Sequence, residues 1–192
     1  MNEKLKNLKI GFCLTGSYCT FNEAIEAMRE LAEYGEVYPI FSYNVAITDT
    51  RFYAVKELYF DTELITKRKP VDSIVGAEQF GPVKKLDIVI IAPCTGNTLA
   101  KLANAITDTP VLMTAKAHLR NNRPVVIAAS TNDALSSNAK NIGLLLNTKN
   151  IFFVPMKQDN PIEKQRSLVA DFSKLRETIE LAMEGKQLQP IF

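Results

Sequence analysis

The chain is poor in the groups on which much enzyme chemistry rests: its 192 residues hold one histidine and three cysteines, and the net charge is only +2. The one imidazole, His118, lies in the helical stretch Val111 to Leu119. Unless it folds into a site, no imidazole is available as a base. Beside Lys116 and Leu119 it is expected at the surface or the core boundary. Cys13, Cys19 and Cys94 lack the spacing of a zinc site, and bridging two would leave one over. That argues against a zinc site, no metal ligand being assigned, and suits a reduced, cytoplasmic compartment. Near-balanced charge argues against nucleic-acid or anionic-membrane partners, so Lys67-Arg68-Lys69, Arg120 and Arg123 read as solvated surface. No apolar run approaches the ~20 residues of a membrane span, and Met1 to Lys9 has no apolar leader core. There is no G-x-G-x-x-G, no Gly-Lys-Ser/Thr phosphate loop, no internal repeat and no low-complexity linker. With 46% hydrophobic residues, the expectation is a single domain over residues 1–192 with a full core.

What is present is an alternation of strand and helix patterns. Leu8 to Leu14 reads as a strand, followed by Thr15-Gly16-Ser17-Tyr18-Cys19-Thr20 and a helix with Phe21, Ala24, Ile25, Met28 and Leu31 on one face. Val37 to Ser42 is the second strand, and a helix is expected from about Asp49 to Leu58. Thr62 to Pro82 reads as a short helix within loops. Ile88 to Ile91 is a β-branched run of the kind covered on both faces, and Pro93, unable to donate to a ladder, should end it. A helix should restart near Asn97 and carry Leu99, Leu102, Ala103 and Ile106. Pro124 to Ala129 and Ile151 to Val154 complete the strands. A helix from about Asn132 to Leu146 containing Gly143, and another from Pro161 to Met183, complete the helices. The pattern predicts a Rossmann-like, flavodoxin-like three-layer αβα sandwich with a parallel sheet.

Two loops carry the chemistry. Ala92-Pro93-Cys94-Thr95-Gly96-Asn97-Thr98 joins a buried strand to a helix with small polar residues, so backbone groups can approach a flat polar ligand at the carboxyl edge of the sheet. Thr15-Gly16-Ser17 opens a helix with hydroxyls and a glycine, and a phosphate against Gly16, Ser17 and Tyr18 would meet neutral donors without Lys or Arg. Ser42 adds a hydroxyl at the next strand end. Cys94 reads first as a small residue packed into its loop and second as a reactive thiol, since nothing basic adjoins it to lower its pKa.

Together these loops resemble the flavoprotein family of homo-oligomeric flavin-containing cysteine decarboxylases. The Thr15-Gly16-Ser17 turn is similar to that family's first phosphate loop. Ala92 to Thr98, with Leu99 to Asp108 after it, is similar to its Pro-Ala-Ser-Ala-Asn-Thr motif and helix. Ala129-Ser130-Thr131-Asn132 keeps only the asparagine of its Pro-Ala-Met-Asn motif. The likeness runs from about Leu8 to Pro155. It implies FMN, with Gly16, Ser17 and Ser42 toward the phosphate and Cys94, Thr95, Gly96, Asn97 and Thr98 along the ring. The ligand edge then comprises these loops, the Ala129–Asn132 motif and the loop after the fifth strand.

The family's decarboxylases use a histidine a few residues before the aspartate that corresponds to Asp87. Here that position falls near Gln79, which argues against thiol decarboxylation. The segment from Phe41 to Phe52 resembles instead the branch that, in spore-forming bacteria, oxidises dihydrodipicolinate to the dicarboxylate dipicolinate during sporulation. That resemblance implies an oxidoreductase subunit working with an A subunit that carries NAD(P), and a homo-oligomer, trimer-based, with Ala100, Ala103 and Ala105 permitting close packing. Asn97 and Asn132 are the expected substrate contacts, since an amide both donates and accepts. As helix caps they have an equally plain role. Catalytic residues remain unassigned. Other readings are an FMN-dependent decarboxylase, a flavin prenyltransferase-like enzyme, which would need an arginine near Thr131 and Asn132 that this chain lacks, and a non-catalytic scaffold that binds ligand for its partner.

Overall fold

The computed structural model describes residues 5–82 and 86–192. Five parallel strands form the centre: β1 (Lys9–Leu14), β2 (Glu36–Phe41), β3 (Ile88–Cys94), β4 (Val125–Thr131) and β5 (Ile151–Phe153). Their order, β2-β1-β3-β4-β5, is that of flavodoxin-like sheets. Strands β6 (Met156–Asn160) and β7 (Lys164–Ala170) form an antiparallel hairpin whose β7 pairs with the carboxyl end of β4, Ser130 facing Val169 and Thr131 facing Leu168.

The sheet is buried on both faces because its strands present apolar side chains at successive positions; every residue of β3 is buried. Alternate residues serve opposite cores. Phe12, Leu14, Ile88, Ile90, Val126 and Ala128 pack beneath α1 (Phe21–Ala32), α3 (Val55–Thr66) and α8 (Leu175–Met183) through residues such as Met28, Leu58 and Ile179. Cys13, Val89, Ile91, Val125 and Ile127 face the other way, onto α5 (Gly96–Ala103), α6 (Pro110–Leu119) and α7 (Ala139–Leu146) through Leu99, Val111 and Leu145. Each such fully buried side chain contributes about 1.5–3 kcal/mol. Two short helices, α2 (Tyr43–Ile47) and α4 (Ile74–Glu78), complete the set. Among the described residues no helix is long and apolar enough to cross a membrane.

The expected boundaries need correction in several places. The helix placed at Asp49 starts at Val55, because Thr50 Oγ1 accepts from Phe52 N and Tyr53 N, and Asp49 Oδ1 accepts from Val55 N, building a turn instead. That helix then runs on through Thr66 and takes the first five residues of the stretch read as irregular. Asn132 to Asn138 is a run of turns, since the Asp133 carboxylate draws in Thr131 Oγ1 and Asn138 Nδ2; α7 begins only at Ala139. The helix expected from Pro161 is a strand hairpin. Pro161 sits in its turn, where Asn160 Oδ1 accepts from Ile162 N and Glu163 N, and only Leu175 onward is α-helical. Pro93 lies one residue inside β3, at a register irregularity that dispenses with its donor, rather than closing the strand. Helix α5 ends at Ala103, and Ile106 lies beyond it, 47% exposed.

His118 is also placed differently. It is 2% exposed rather than at the boundary: α6 packs against both the sheet and α4, and Asp87, Arg123 and Pro124 lie beside the imidazole. Burial first, and the nearby Arg123 second, lower its pKa to about 4, against the opposing pull of the Pro124 and Asp87 backbone. Arg123, read as solvated, is half-buried and donates to the Leu86 carbonyl.

Candidate functional site

A cleft of about 700 Å³ opens at the carboxyl edge of the sheet, within the range of small-molecule sites. Two of its loops are tied together by one buried threonine that does not itself line it. Thr15, 1% exposed at the end of β1, donates through Oγ1 to the Pro93 carbonyl (2.8 Å) and accepts from Thr95 N (2.9 Å). The loops after β1 and β3, distant in sequence, are thereby fixed side by side. Beyond them Thr95 caps α5: its Oγ1 accepts from Thr98 N (3.3 Å) and lies 3.0 Å from Thr98 Oγ1.

Gly96 opens α5 because no larger residue fits. A Cβ there would stand 2.5 Å from Asn138 Nδ2, 2.7 Å from Asp133 Oδ1 and 2.7 Å from Thr131 Oγ1. Those atoms belong to one network. Asp133 accepts from Thr131 Oγ1 (2.7 Å) and Asn138 Nδ2 (2.8 Å), and Asn138 Oδ1 accepts from Asn141 Nδ2 (2.7 Å). The network seats the turn after β4 against the start of α5, and so holds Thr131 and Asn132 at the cleft.

Of the residues anticipated for a ligand, Gly16, Ser17, Tyr18, Thr95, Gly96, Asn97 and Asn132 line the cleft together. Ser42, Cys94 and Thr98 stand behind them and do not line it; they are 8%, 0% and 7% exposed. Cys94 is packed as a small buried residue, its Sγ 3.9 Å from the Thr95 carbonyl, and burial pushes its thiol pKa far up. Asn97 and Asn132 are both exposed and neither caps a helix. Thr95 takes the cap of α5, and Asn132 lies in the turn before α7. The backbone follows Thr15 with a tight turn, Ser17 N donating to the Thr15 carbonyl at 2.7 Å, and Tyr18–Thr20 then form a single helical turn.

Other lining residues escaped the sequence reading. Cys19 stands beside the Tyr18 turn, and Arg51 and Phe52 come from the turn before α3. Asp159, Lys164, Ser167 and Val169 come from the hairpin, the loop after the fifth strand having contributed in an unexpected form. The Asn160-Pro161 dipeptide, a turn signal between two runs that alternate, was the available clue. Lys164 Nζ donates to Asp159 Oδ2 (2.6 Å), which raises the lysine pKa. Ser130 also lines the cleft. It is 2% exposed, and its hydroxyl has no partner, an arrangement that costs about 1–3 kcal/mol unless a ligand or water satisfies it.

The only histidine lies far from this cleft. It neighbours Asp87 and Pro124, at the amino-terminal ends of β3 and β4, whereas the cleft occupies their carboxyl ends. No imidazole of this chain faces the site.

The chain is similar to the B subunit of dipicolinate synthase from Bacillus subtilis (strain 168), with 51% identity over 188 residues, 97% of this chain and 94% of that protein. The crystal structure of the dipicolinate synthase B subunit from Bacillus halodurans C superposes with a TM-score of 0.90 at 49% identity, covering 100% of this chain and 97% of that one. The FMN-dependent cysteine decarboxylase SpaF shares the fold, at TM-score 0.65 and 20% identity over 95% of this chain and 98% of its own. The Flavoprotein family profile matches residues 1–181, and the chain belongs to that family.

Proposed function

We propose that this chain is a B subunit of dipicolinate synthase and that, with a nicotinamide-dependent A subunit, it oxidises dihydrodipicolinate to dipicolinate. The observation that carries this reading is the 51% identity with the Bacillus subtilis B subunit along nearly the whole of both chains. The cleft agrees with it. A thiol decarboxylase of the kind weighed from sequence needs an imidazole near the substrate, and the one in this chain is buried at the opposite edge of the sheet.

The cleft residues fit FMN. Gly16, Ser17 and Tyr18 offer a turn of neutral donors that would hold the phosphate, Thr95, Gly96 and Asn97 would border the ring, and the unpartnered Ser130 hydroxyl would be available to a polar group of the cofactor. Bound there, FMN would supply a planar two-electron carrier. The protein's own part is to hold it: Thr15 fixes the two loops, and Asp133 fixes the third. Ser42, Cys94 and Thr98 support this wall from behind. Asn97 and Asn132, exposed and uncommitted to any cap, are the amides available to substrate. The assembly is a homo-oligomer, trimer-based, that docks the A subunit carrying NAD(P).

The test is reconstitution. Purified chain and A subunit should together turn over dihydrodipicolinate with a nicotinamide cofactor, and the chain should carry a flavin absorbance band. A colourless chain that restores full activity would favour a flavin-free scaffold. No turnover by the pair would refute the reading.

A further inference from the structure

The turn between α2 and α3 is a built feature of the cleft that the flavin reading leaves idle. Arg51 stands at its apex. Thr50 Oγ1 accepts from Phe52 N (3.2 Å) and Tyr53 N (3.1 Å) and donates to the Tyr53 carbonyl (3.2 Å), while Asp49 Oδ1 accepts from Val55 N (2.8 Å). The Tyr53 hydroxyl in turn donates to Asp61 on α3. A turn stitched at this many points holds the backbone of its apex in place, so part of the ordering cost of binding is met before a ligand arrives.

Its surroundings are those of an anion receptor. The Arg51 guanidinium carbon lies over the Phe52 ring, 4.7 Å from its centroid, a cation–π contact. The other cation of the cleft, Lys164, is already paired with Asp159 at 2.6 Å. Arg51 forms no ion pair with a described residue, although Asp133 and Asp159 line the same cleft. Asp133 is spoken for by Thr131 and Asn138. An unpaired arginine on a pinned turn, facing a cleft whose carboxylates are otherwise engaged, matches a ligand that brings its own.

We infer that Arg51 is the carboxylate-recognition residue of the substrate site, its guanidinium taking one carboxylate of the planar dicarboxylate as a bidentate pair, with the Phe52 ring beside it. This rests on the dipicolinate synthase reading. A guanidinium fork matches a carboxylate in two parallel N–H···O bonds, whereas an ammonium is a point charge, so lysine cannot fully replace it. A phosphate would satisfy the same fork, and the FMN phosphate is the competing source.

The test compares wild type, Arg51→Gln and Arg51→Lys, each with the A subunit. The assignment predicts a rise in KM for dihydrodipicolinate of at least about tenfold in Arg51→Gln, with partial recovery in Arg51→Lys. Calorimetric affinity for dipicolinate should fall in parallel, and FMN affinity and melting temperature should stay at the wild-type values. A wild-type pair that turns over substrate alongside an Arg51→Gln pair of unchanged KM overturns the assignment alone. Loss of FMN affinity with dipicolinate affinity kept overturns it in favour of the phosphate. A wild-type pair without turnover overturns the function reading and the assignment with it.

Discussion

Replacing Thr15 by valine removes one hydroxyl and keeps the side chain's shape, and the structure allows the cost to be worked out. Two hydrogen bonds are lost, to the Pro93 carbonyl at 2.8 Å and from Thr95 N at 2.9 Å, in a position 1% exposed. Each net bond contributes about 0.5–1.5 kcal/mol, and a buried N–H left without a partner costs about 1–3 kcal/mol. Since these overlap, the sum is about 2–4 kcal/mol. In a chain of this size each kcal/mol moves the melting temperature by about 2–4 °C, so the variant should melt about 5–15 °C lower. Urea denaturation should show a lower midpoint with an unchanged slope. Thr15→Ser restores the hydroxyl and should recover all but about 1 kcal/mol, a loss of packing alone. The cleft should suffer with the fold, because Thr15 joins the carboxyl ends of the first and third strands by side chain: FMN affinity should drop in the valine variant and return in the serine one. A valine variant within about 0.5 kcal/mol of wild type would refute the claim that this residue ties the two loops together.

Further expectations concern other parts of the fold. His118 titrates at about 4 in the folded protein against an ordinary 6.5, so the folded state resists a proton that the unfolded chain accepts. Its contribution is complete above pH 6.5, is lost as pH falls toward 4 and totals about 3 kcal/mol; urea midpoints of His118→Gln should fall less steeply with acid than those of wild type, and parallel curves would contradict this. Gly96→Ala should weaken FMN binding by about tenfold or more and destabilise by about 1–3 kcal/mol, since the added carbon meets Asn138, Asp133 and Thr131 at 2.5–2.7 Å; a crystal structure with the Asp133 network unmoved would count against it. Native protein treated with iodoacetamide should be labelled at Cys19 alone, because Cys13 and Cys94 are fully buried; mass spectrometry that finds Cys94 modified first would revive the reactive-thiol reading.

The parallel sheet and the loops that line the cleft at its carboxyl edge were legible because they depend on local features. β-Branched runs mark doubly covered strands, and glycine with hydroxyls after a strand marks a loop that backbone groups can use. The Thr15–Ser17 and Cys94–Thr98 loops were found this way. What escaped was decided by contacts across the fold. Nothing near Thr15 in sequence shows that it bonds to Pro93 and Thr95, and nothing local says that Ser42 and Thr98 stop short of the cleft. The stretch from Lys164 to Ala170 has the residues of a helix continuation, yet it pairs with the end of β4, which has no partner there from β5. Three helix starts were placed too early because side-chain acceptors win the chain for turns: Asp49, Thr50 and Asn160 accept from nearby backbone N–H groups, and the Asp133 carboxylate accepts from the side chains of Thr131 and Asn138. His118 looked peripheral because sequence shows its own helix and not Asp87, Arg123 and Pro124 closing beside it.

The central claim is that the cleft is a flavin site entered through the Gly16–Tyr18 turn. Calorimetric titration of FMN into the purified chain, wild type beside Ser17→Glu, tests this most directly. The wild type should bind one FMN per chain, and the carboxylate placed where the phosphate would sit should abolish binding with the melting temperature unchanged. Equal FMN affinity in the two proteins, or no heat with either, would contradict the claim.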